Sequence, residues 1–216
     1  MSKSVYSLIL NDDVVAEIDR LACRNHVSRS EMITRILAKH VSVSTPEQRR
    51  CEIVARLSGL LGEKDAFMLT STGDGTLNLR SVLAYKYRPT VKYTVELSRE
   101  SSEIGRLRVA LRTQNPALIE EFDSFCRIWM RIETERIGTT RYLLDPARFV
   151  RELRLRIRPS ADAHSAQTLG ELIGRYLCIF DEGLKIYFSL LDAPVLAYQK
   201  LDMLYAAYAE TARELL

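Results

Sequence analysis

The sequence contains few of the residues that build metal centres and disulfide frameworks. Only four cysteines and three histidines occur in 216 residues. The cysteines are far apart in the chain, form no Cys-x-x-Cys pair and do not cluster with the histidines: Cys23, Cys51, Cys126 and Cys178. This spacing argues against both a zinc site and a disulfide framework. We therefore expect buried free thiols in a reducing cytosol, and neither a metal ion nor another cofactor.

Long apolar runs are also missing. The early apolar stretch from Val5 to Leu10 is short and leads directly into Asn11-Asp12-Asp13, which is wrong for a signal peptide. No window approaches the ~18 apolar residues that a membrane span needs. We expect a cytoplasmic protein without a membrane partner.

The common catalytic motifs do not occur either. The sequence has no G-x-S-x-G, H-E-x-x-H or paired-carboxylate pattern, and its histidines are scattered. The segment Gly73-Asp74-Gly75 lacks the lysine and the following serine or threonine of a phosphate-binding P-loop, so we interpret it as a turn. We expect that the protein is not an enzyme.

The composition is that of a folded globular protein, with 47% apolar and 27% charged residues. The formal net charge of +3 is too small to identify a nucleic-acid partner by itself. The positions of the basic residues must therefore be considered locally.

The chain begins with the pattern of one strand and one amphipathic helix. Residues 3–10 alternate, with the apolar side chains of Tyr6, Leu8 and Leu10 on one face. Asn11 is a favourable N-cap for a helix that runs to about Asn25. The apolar residues of this helix recur at helical spacing: Val14, Ile18, Leu21 and Ala22.

A second helix follows at the capping box Ser28-Arg29-Ser30-Glu31. We expect this helix to end before Pro46 and to bury its apolar face. The residues of that face are Met32, Ile33, Ile36, Leu37 and Val41.

One strand and two short helices cannot close a core, and a single strand leaves its backbone hydrogen-bonding groups unpaired. The same strand of a second copy would complete an antiparallel ribbon over four helices in a two-fold dimer. A two-stranded ribbon fits the major groove of DNA. We expect a homodimer, or a higher oligomer built from it, that binds double-stranded DNA.

The segment from Val5 to Val41 resembles the ribbon-helix-helix superfamily typified by Arc, MetJ and CopG. Two stretches carry the resemblance without a gap, YSLILNDDVVAEIDRLA and VSRSEMI. It implies that odd-numbered ribbon residues read bases, namely Lys3, Val5, Ser7 and Ile9. It also implies that amides at the start of the second helix hold a backbone phosphate, namely those of Ser28, Arg29 and Ser30. Val5 and Ile9 can offer only apolar contacts, for example to thymine methyl groups.

The pattern then changes to one typical of an antiparallel sheet. Phe67 to Thr70 and Leu77 to Tyr87 flank a turn at Gly73-Asp74-Gly75, and residues 91–97 and 106–112 alternate. Residues 76–115 contain eight Lys or Arg against three Asp or Glu. This basic face is an auxiliary DNA surface, a site for an acidic ligand or partner, or only a solvated surface. Its members are Arg80, Lys86, Arg88, Lys92, Arg106, Arg108 and Arg112.

The remaining chain is mainly helical in pattern. A core helix follows Pro116 and ends near Gly138, and two tyrosine-rich helices from about Leu169 are separated near Pro194. The segment from Arg151 to Arg158 fits either a strand or a helix, and we favour a helix at its start.

The sequence thus predicts an α+β protein in which a ribbon-helix-helix unit precedes an antiparallel sheet packed with helices and a C-terminal helical hairpin. We assign residues 1–44 to DNA binding and dimerisation, 45–65 to a connector helix, and 66–216 to a regulatory or interaction domain. The leading hypothesis is a transcriptional regulator, either repressor or activator, with a protein or small-molecule effector at the C-terminal domain. An antitoxin, or an accessory DNA-binding protein of plasmid transfer or partition, is the alternative.

Overall fold

The computed structural model of the protein describes residues 7–40, 46–98, 104–154 and 165–211. The chain divides into two compact units, Met1–Arg49 and Arg50–Leu216. The boundary lies within α3 (Pro46–Gly62). Among the helices that the structure describes, none has the length and apolar composition needed to cross a membrane.

The first unit contains the two predicted helices, α1 (Asp12–Arg24) and α2 (Arg29–His40). Asn11 caps α1, because its side chain accepts a hydrogen bond of 3.0 Å from the amide of Asp13. The carboxylates of Asp12 and Asp13 lie in the first turn, where the positive end of the helix dipole favours them. Local sequence signals therefore determine where α1 begins.

The core between α1 and α2 is small. Its buried apolar residues are Ile18, Ala22 and Met32, with Leu21, Val27 and Ile33 packed against them. Ile36 and Leu37, which we expected to be buried, are 41% and 52% exposed in the single chain. Val41 lies outside the described residues. The two helices therefore cover only part of their apolar surface with each other.

Within the described residues of the second unit, six strands form one antiparallel sheet in the order β1-β2-β3-β4-β6-β5. A tight turn at Asp74 and Gly75 joins the first two strands, as predicted. The strands are β1 (Met68–Gly73), β2 (Thr76–Val82), β3 (Thr90–Leu97), β4 (Gly105–Arg112), β5 (Tyr142–Asp145) and β6 (Arg148–Leu153).

Helices cover one face of this sheet. They are α3, α4 (Pro116–Ile137), α5 (Ala166–Ser189) and α6 (Pro194–Thr211). The inward residues of the strands and the apolar faces of these helices share one core, which includes Val109 of β4, Trp129 of α4 and Phe180 of α5. The α5 and α6 helices form the predicted C-terminal hairpin. The helix expected to be a connector contributes Ile53 and Leu57 to the same core.

The helix favoured at the start of the segment from Arg151 to Arg158 is wrong. Arg148–Leu153 is strand β6, which pairs with β4 on one side and β5 on the other. Residues 155–158 lie outside the described residues. The strand forms because β4 has a free edge whose backbone groups need partners, and this requirement overrides an ambiguous local pattern.

Strand β2 is shorter than predicted, because it ends at Val82 instead of continuing to Tyr87. Tyr87 and Arg88 have positive φ angles of 65° and 42°, which a strand does not accommodate. Lys86 and Arg88 therefore lie in the loop before β3 and not on the sheet face to which we assigned them.

The expectation of buried thiols is correct for Cys126 but wrong for Cys23 and Cys51, which are exposed, while Cys178 is half-buried. Cys23 follows the buried Ala22 directly in α1. Neighbouring positions of a helix differ in direction by about 100°, so the burial of Ala22 does not require that Cys23 be buried.

Candidate nucleic-acid interface

The amino end of α2 has the geometry that the capping box predicts. The Ser28 hydroxyl accepts a hydrogen bond of 3.2 Å from the amide of Glu31. The Glu31 carboxylate, which a full capping box would place on the Ser28 amide, instead pairs with Arg35 at 2.6 Å. The amides of Arg29 and Ser30 belong to the first turn, where a helix offers them no acceptor of its own. This end of α2 can therefore hold an anion.

The Arg29 side chain is tied to the first helix. Its Nε and Nη2 donate to the two carboxylate oxygens of Asp19 at 2.6 and 2.5 Å, in a bidentate arrangement. Hydrogen bonding to Arg29 holds the pKa of the Asp19 carboxyl below its usual value. Both side chains are about half exposed. A guanidinium thus lies beside the amides that we expect to bind phosphate, with an acidic partner that a phosphate would have to displace.

Of the four predicted base-reading residues, Ser7 and Ile9 are described, and both are exposed. Ile9 has its whole side chain in solvent. Lys3 and Val5 lie outside the described residues. Residues 7–10 have no strand partner within the described part of the single chain. The predicted ribbon therefore stays a prediction about two chains.

Apolar side chains are unusually exposed in the first unit. Beside Ile9, they are Leu8, Leu10, Val14, Ile36 and Leu37. They come from the predicted ribbon and from both helices. A unit this small that leaves so much apolar surface in water is typical of one that is completed by a partner.

The second unit presents a separate basic surface on the sheet face opposite the helices. Five of the seven predicted residues lie on this face: Arg80 on β2, Lys92 on β3, and Arg106, Arg108 and Arg112 on β4. Arg80 lies opposite Lys92 in the register of β2 and β3.

The same sheet face carries a hollow with a volume of about 430 Å³. Four of the predicted basic residues line it, and so does Arg148 of β6, which was not among the predicted residues. The full lining is Lys92, Thr94, Arg106, Arg108, Ala110, Arg112, Leu143, Asp145, Arg148 and Val150. The sequence does contain a pattern that predicts the position of Arg148. Asp145-Pro146 is a turn dipeptide, and in a strand that follows it Arg148 and the buried Phe149 point to opposite faces of the sheet.

Comparison with known families identifies the first unit only. The family model described as ribbon-helix-helix protein, copG family, matches residues 7–41. The match includes α1, α2 and the loop between them, and it confirms the resemblance noted in the sequence. None of the curated proteins and none of the solved structures compared with the chain shows a match.

Proposed function

We propose, from the match of residues 7–41 to the copG family of ribbon-helix-helix proteins, that this chain is a homodimeric, sequence-specific DNA-binding regulator of transcription in the cytoplasm. That match, on a segment whose two helices are built as the family pattern requires, is the observation that carries the proposal. In this scheme the first unit binds DNA and the second unit binds an effector or links dimers. No step of this function requires catalysis.

The proposed dimer follows from unsatisfied groups in the first unit. The backbone groups of residues 7–10 need strand partners, and the apolar side chains of Leu8 and Leu37 need cover. A second copy related by a two-fold axis supplies both, because its own segment 7–10 pairs in antiparallel fashion and its helices pack on the exposed faces. Formation of one dimer interface therefore pairs the backbone groups of the strand and also buries the exposed apolar side chains.

The proposed DNA contacts fall into two classes. Ser7 and Ile9, with Lys3 and Val5, lie on the ribbon face that enters the major groove and read base edges. The amides at the start of α2 and the Arg29 guanidinium contact phosphate, and they fix the ribbon in register without reading sequence. Of the described ribbon residues Ser7 and Ile9, Ser7 has the side chain that can form hydrogen bonds with base edges. It should therefore have the larger influence on which DNA sequence is bound.

The test is selection of bound sequences from a random duplex library by the full chain, followed by mobility-shift titration of the best site over a range of salt concentrations. Ser7→Ala should lower affinity for the selected site while leaving affinity for unrelated DNA unchanged. Arg29→Ala should weaken binding to both, and the slope of log K against log salt should become shallower by about two units, because the dimer loses one phosphate contact in each subunit.

Arg20→Ala is the matched control for the arginine variant. Arg20 is also exposed and also pairs with a carboxylate, that of Glu17, but it lies in the middle of α1. Its removal should leave the salt slope unchanged. Failure of the full chain to retard any duplex at low salt would overturn the proposal, and so would equal salt slopes for the Arg29 and Arg20 variants.

A further inference from the structure

The hollow on the outer sheet face is centred on a small residue. Ala110 of β4 lies between Lys92 of β3 and Arg148 of β6, which are its direct partners in the register of the two neighbouring strands. Arg108 and Arg112 lie two positions before and after it on β4 and point to the same face. Neighbouring strands are about 5 Å apart and alternate residues along a strand about 7 Å apart. Four long cationic side chains therefore surround one methyl group.

This arrangement creates a depression with a charged rim and a partly apolar floor. Ala110 is too short to fill the space between the longer side chains, and Val150 and Leu143 complete the apolar part. A volume of about 430 Å³ falls in the range of small-molecule sites. The depression is therefore suited to a ligand with a charged end and a less polar body.

Within the described residues, most of the cations that line the hollow form no salt bridge. Five cationic residues line it against one carboxylate, that of Asp145. Arg108 pairs with Glu96 at 2.9 Å, whereas Lys92, Arg106, Arg112 and Arg148 form no salt bridge within the described ranges. Like charges this close repel each other, and the repulsion is relieved when an anion binds between them.

We propose that this hollow binds the phosphate group of a small phosphorylated molecule, with the phosphate above Ala110. A phosphate dianion carries enough charge to interact with several cations at once, and its oxygens match the paired N–H groups of arginine. The rest of the ligand lies toward Leu143 and Val150. The inference deepens the effector role proposed above for the second unit and rests on that part of the proposed function.

A free ligand fits the geometry better than a DNA backbone does. Phosphates of DNA are spread along a strand, and surfaces that follow them have cations in an extended row. Here the cations converge on one residue from four sides, which concentrates the field at one point. A single terminal phosphate therefore uses the site more fully than a polymer does.

The test is calorimetric titration of the full chain, without DNA, with inorganic pyrophosphate and with a nucleoside 5′-monophosphate at constant ionic strength. The wild type should bind both ligands. Ala110→Leu fills the depression without changing its charge and should weaken binding at least tenfold, and Arg148→Gln should do the same. Arg80→Gln is the control, because it removes a cation from the same face outside the hollow; it should change affinity less than twofold. Circular dichroism of each variant checks the fold.

Three results would overturn the proposal. The first is no binding of either ligand by the wild type. The second is equal weakening by Arg80→Gln and Arg148→Gln, or no effect of Ala110→Leu, since either would indicate diffuse surface charge. The third comes from a separate competition experiment: displacement of pyrophosphate by a short DNA duplex whose own affinity falls in Ala110→Leu would assign the hollow to DNA. Because the titrations contain no DNA, their failure leaves the DNA-binding proposal standing, and the reverse also holds.

Discussion

The carboxylate of Glu133 on α4 and the guanidinium of Arg151 on β6 form a salt bridge in which both side chains are completely buried. Nε of Arg151 donates to Glu133 Oε1 at 2.9 Å, and the guanidinium carbon lies 4.2 Å from the centre of the Tyr176 ring. The hydroxyls of Tyr176 and Tyr205 donate to the same carboxylate at 3.0 and 3.1 Å. This one carboxylate therefore joins the sheet to α4, α5 and α6.

Removing one partner of this pair should be strongly destabilising. Glu133→Gln removes the negative charge that pairs with the buried Arg151 guanidinium, and we expect a loss of about 3–5 kcal/mol in the free energy of unfolding, measured by urea denaturation. Glu135→Gln on the same helix is the matched control, because its pair with Arg131 is exposed, and it should cause no measurable change.

A double variant separates the energy of the pair from the cost of removing only one of its two charges. Glu133→Leu with Arg151→Met removes both charges and should be less destabilised than Glu133→Gln alone. If the double variant is the less stable of the two, the hydrogen bonds to Tyr176 and Tyr205 contribute more than the ion pair does, and our interpretation is wrong.

Elements defined by short-range signals could be predicted from the sequence. Asn11 caps α1, Asn115 caps α4, and Asp74-Gly75 forms the turn between β1 and β2, each as the local residues indicate. The side chains of Asn11 and Asn115 accept from helix amides two residues away, and Gly75 adopts the positive φ angle of 73° that suits glycine in a tight turn, so the rest of the chain has little influence.

Long-range relationships could not be predicted in this way. Arg148 lies beside Ala110 only because β6 is inserted between β4 and β5, and the local pattern of that segment suits a helix equally well. Arg151 is a charged residue on the buried face of β6, so the apolar alternation expected of a strand is interrupted there. Its partner Glu133 lies on α4, and the local sequence does not indicate this pairing. The apolar spacing of α2 predicts that Ile36 and Leu37 are buried. It cannot distinguish burial within one chain from burial against a second chain.

The exposed apolar face of α2 should determine the oligomeric state. Leu37→Glu places a charge on a surface that we expect to be buried between two copies, and desolvating that charge would be costly. By light scattering after gel filtration, the wild type should have twice the 24.7 kDa mass of the chain, and the variant should have that mass once. Tyr87→Glu, at a fully exposed loop position, should remain dimeric. A dimeric Leu37→Glu variant would contradict the proposed interface.

Thiol reactivity should follow burial. Cys23 and Cys51 are exposed, whereas burial raises the pKa of the Cys126 thiol well above its usual value, so little reactive thiolate forms there. At neutral pH, iodoacetamide followed by mass spectrometry should modify Cys23 and Cys51 quickly and Cys126 only after unfolding in urea. Rapid labelling of Cys126 in the folded chain would mean that the core between α4 and the sheet opens readily.

The salt bridge between Asp19 and Arg29 should weaken the contact between the Arg29 guanidinium and a DNA phosphate. Asp19→Asn removes the carboxylate that competes with phosphate for the Arg29 guanidinium, so we expect DNA affinity to rise a few-fold at low salt. Glu17→Gln is the control, since it removes the same charge from an exposed pair with Arg20 on the same helix and should have a smaller effect.

The pH dependence of stability gives a second readout of the pair between Asp19 and Arg29. Because Arg29 lowers the pKa of folded Asp19, the pair stabilises the fold above the unfolded pKa of Asp19, and this contribution is lost as the pH falls through the lower folded pKa. The stability difference between wild type and Asp19→Asn should therefore disappear in acid. Unchanged DNA affinity together with a pH-independent stability difference would show that Asp19 does not restrain Arg29.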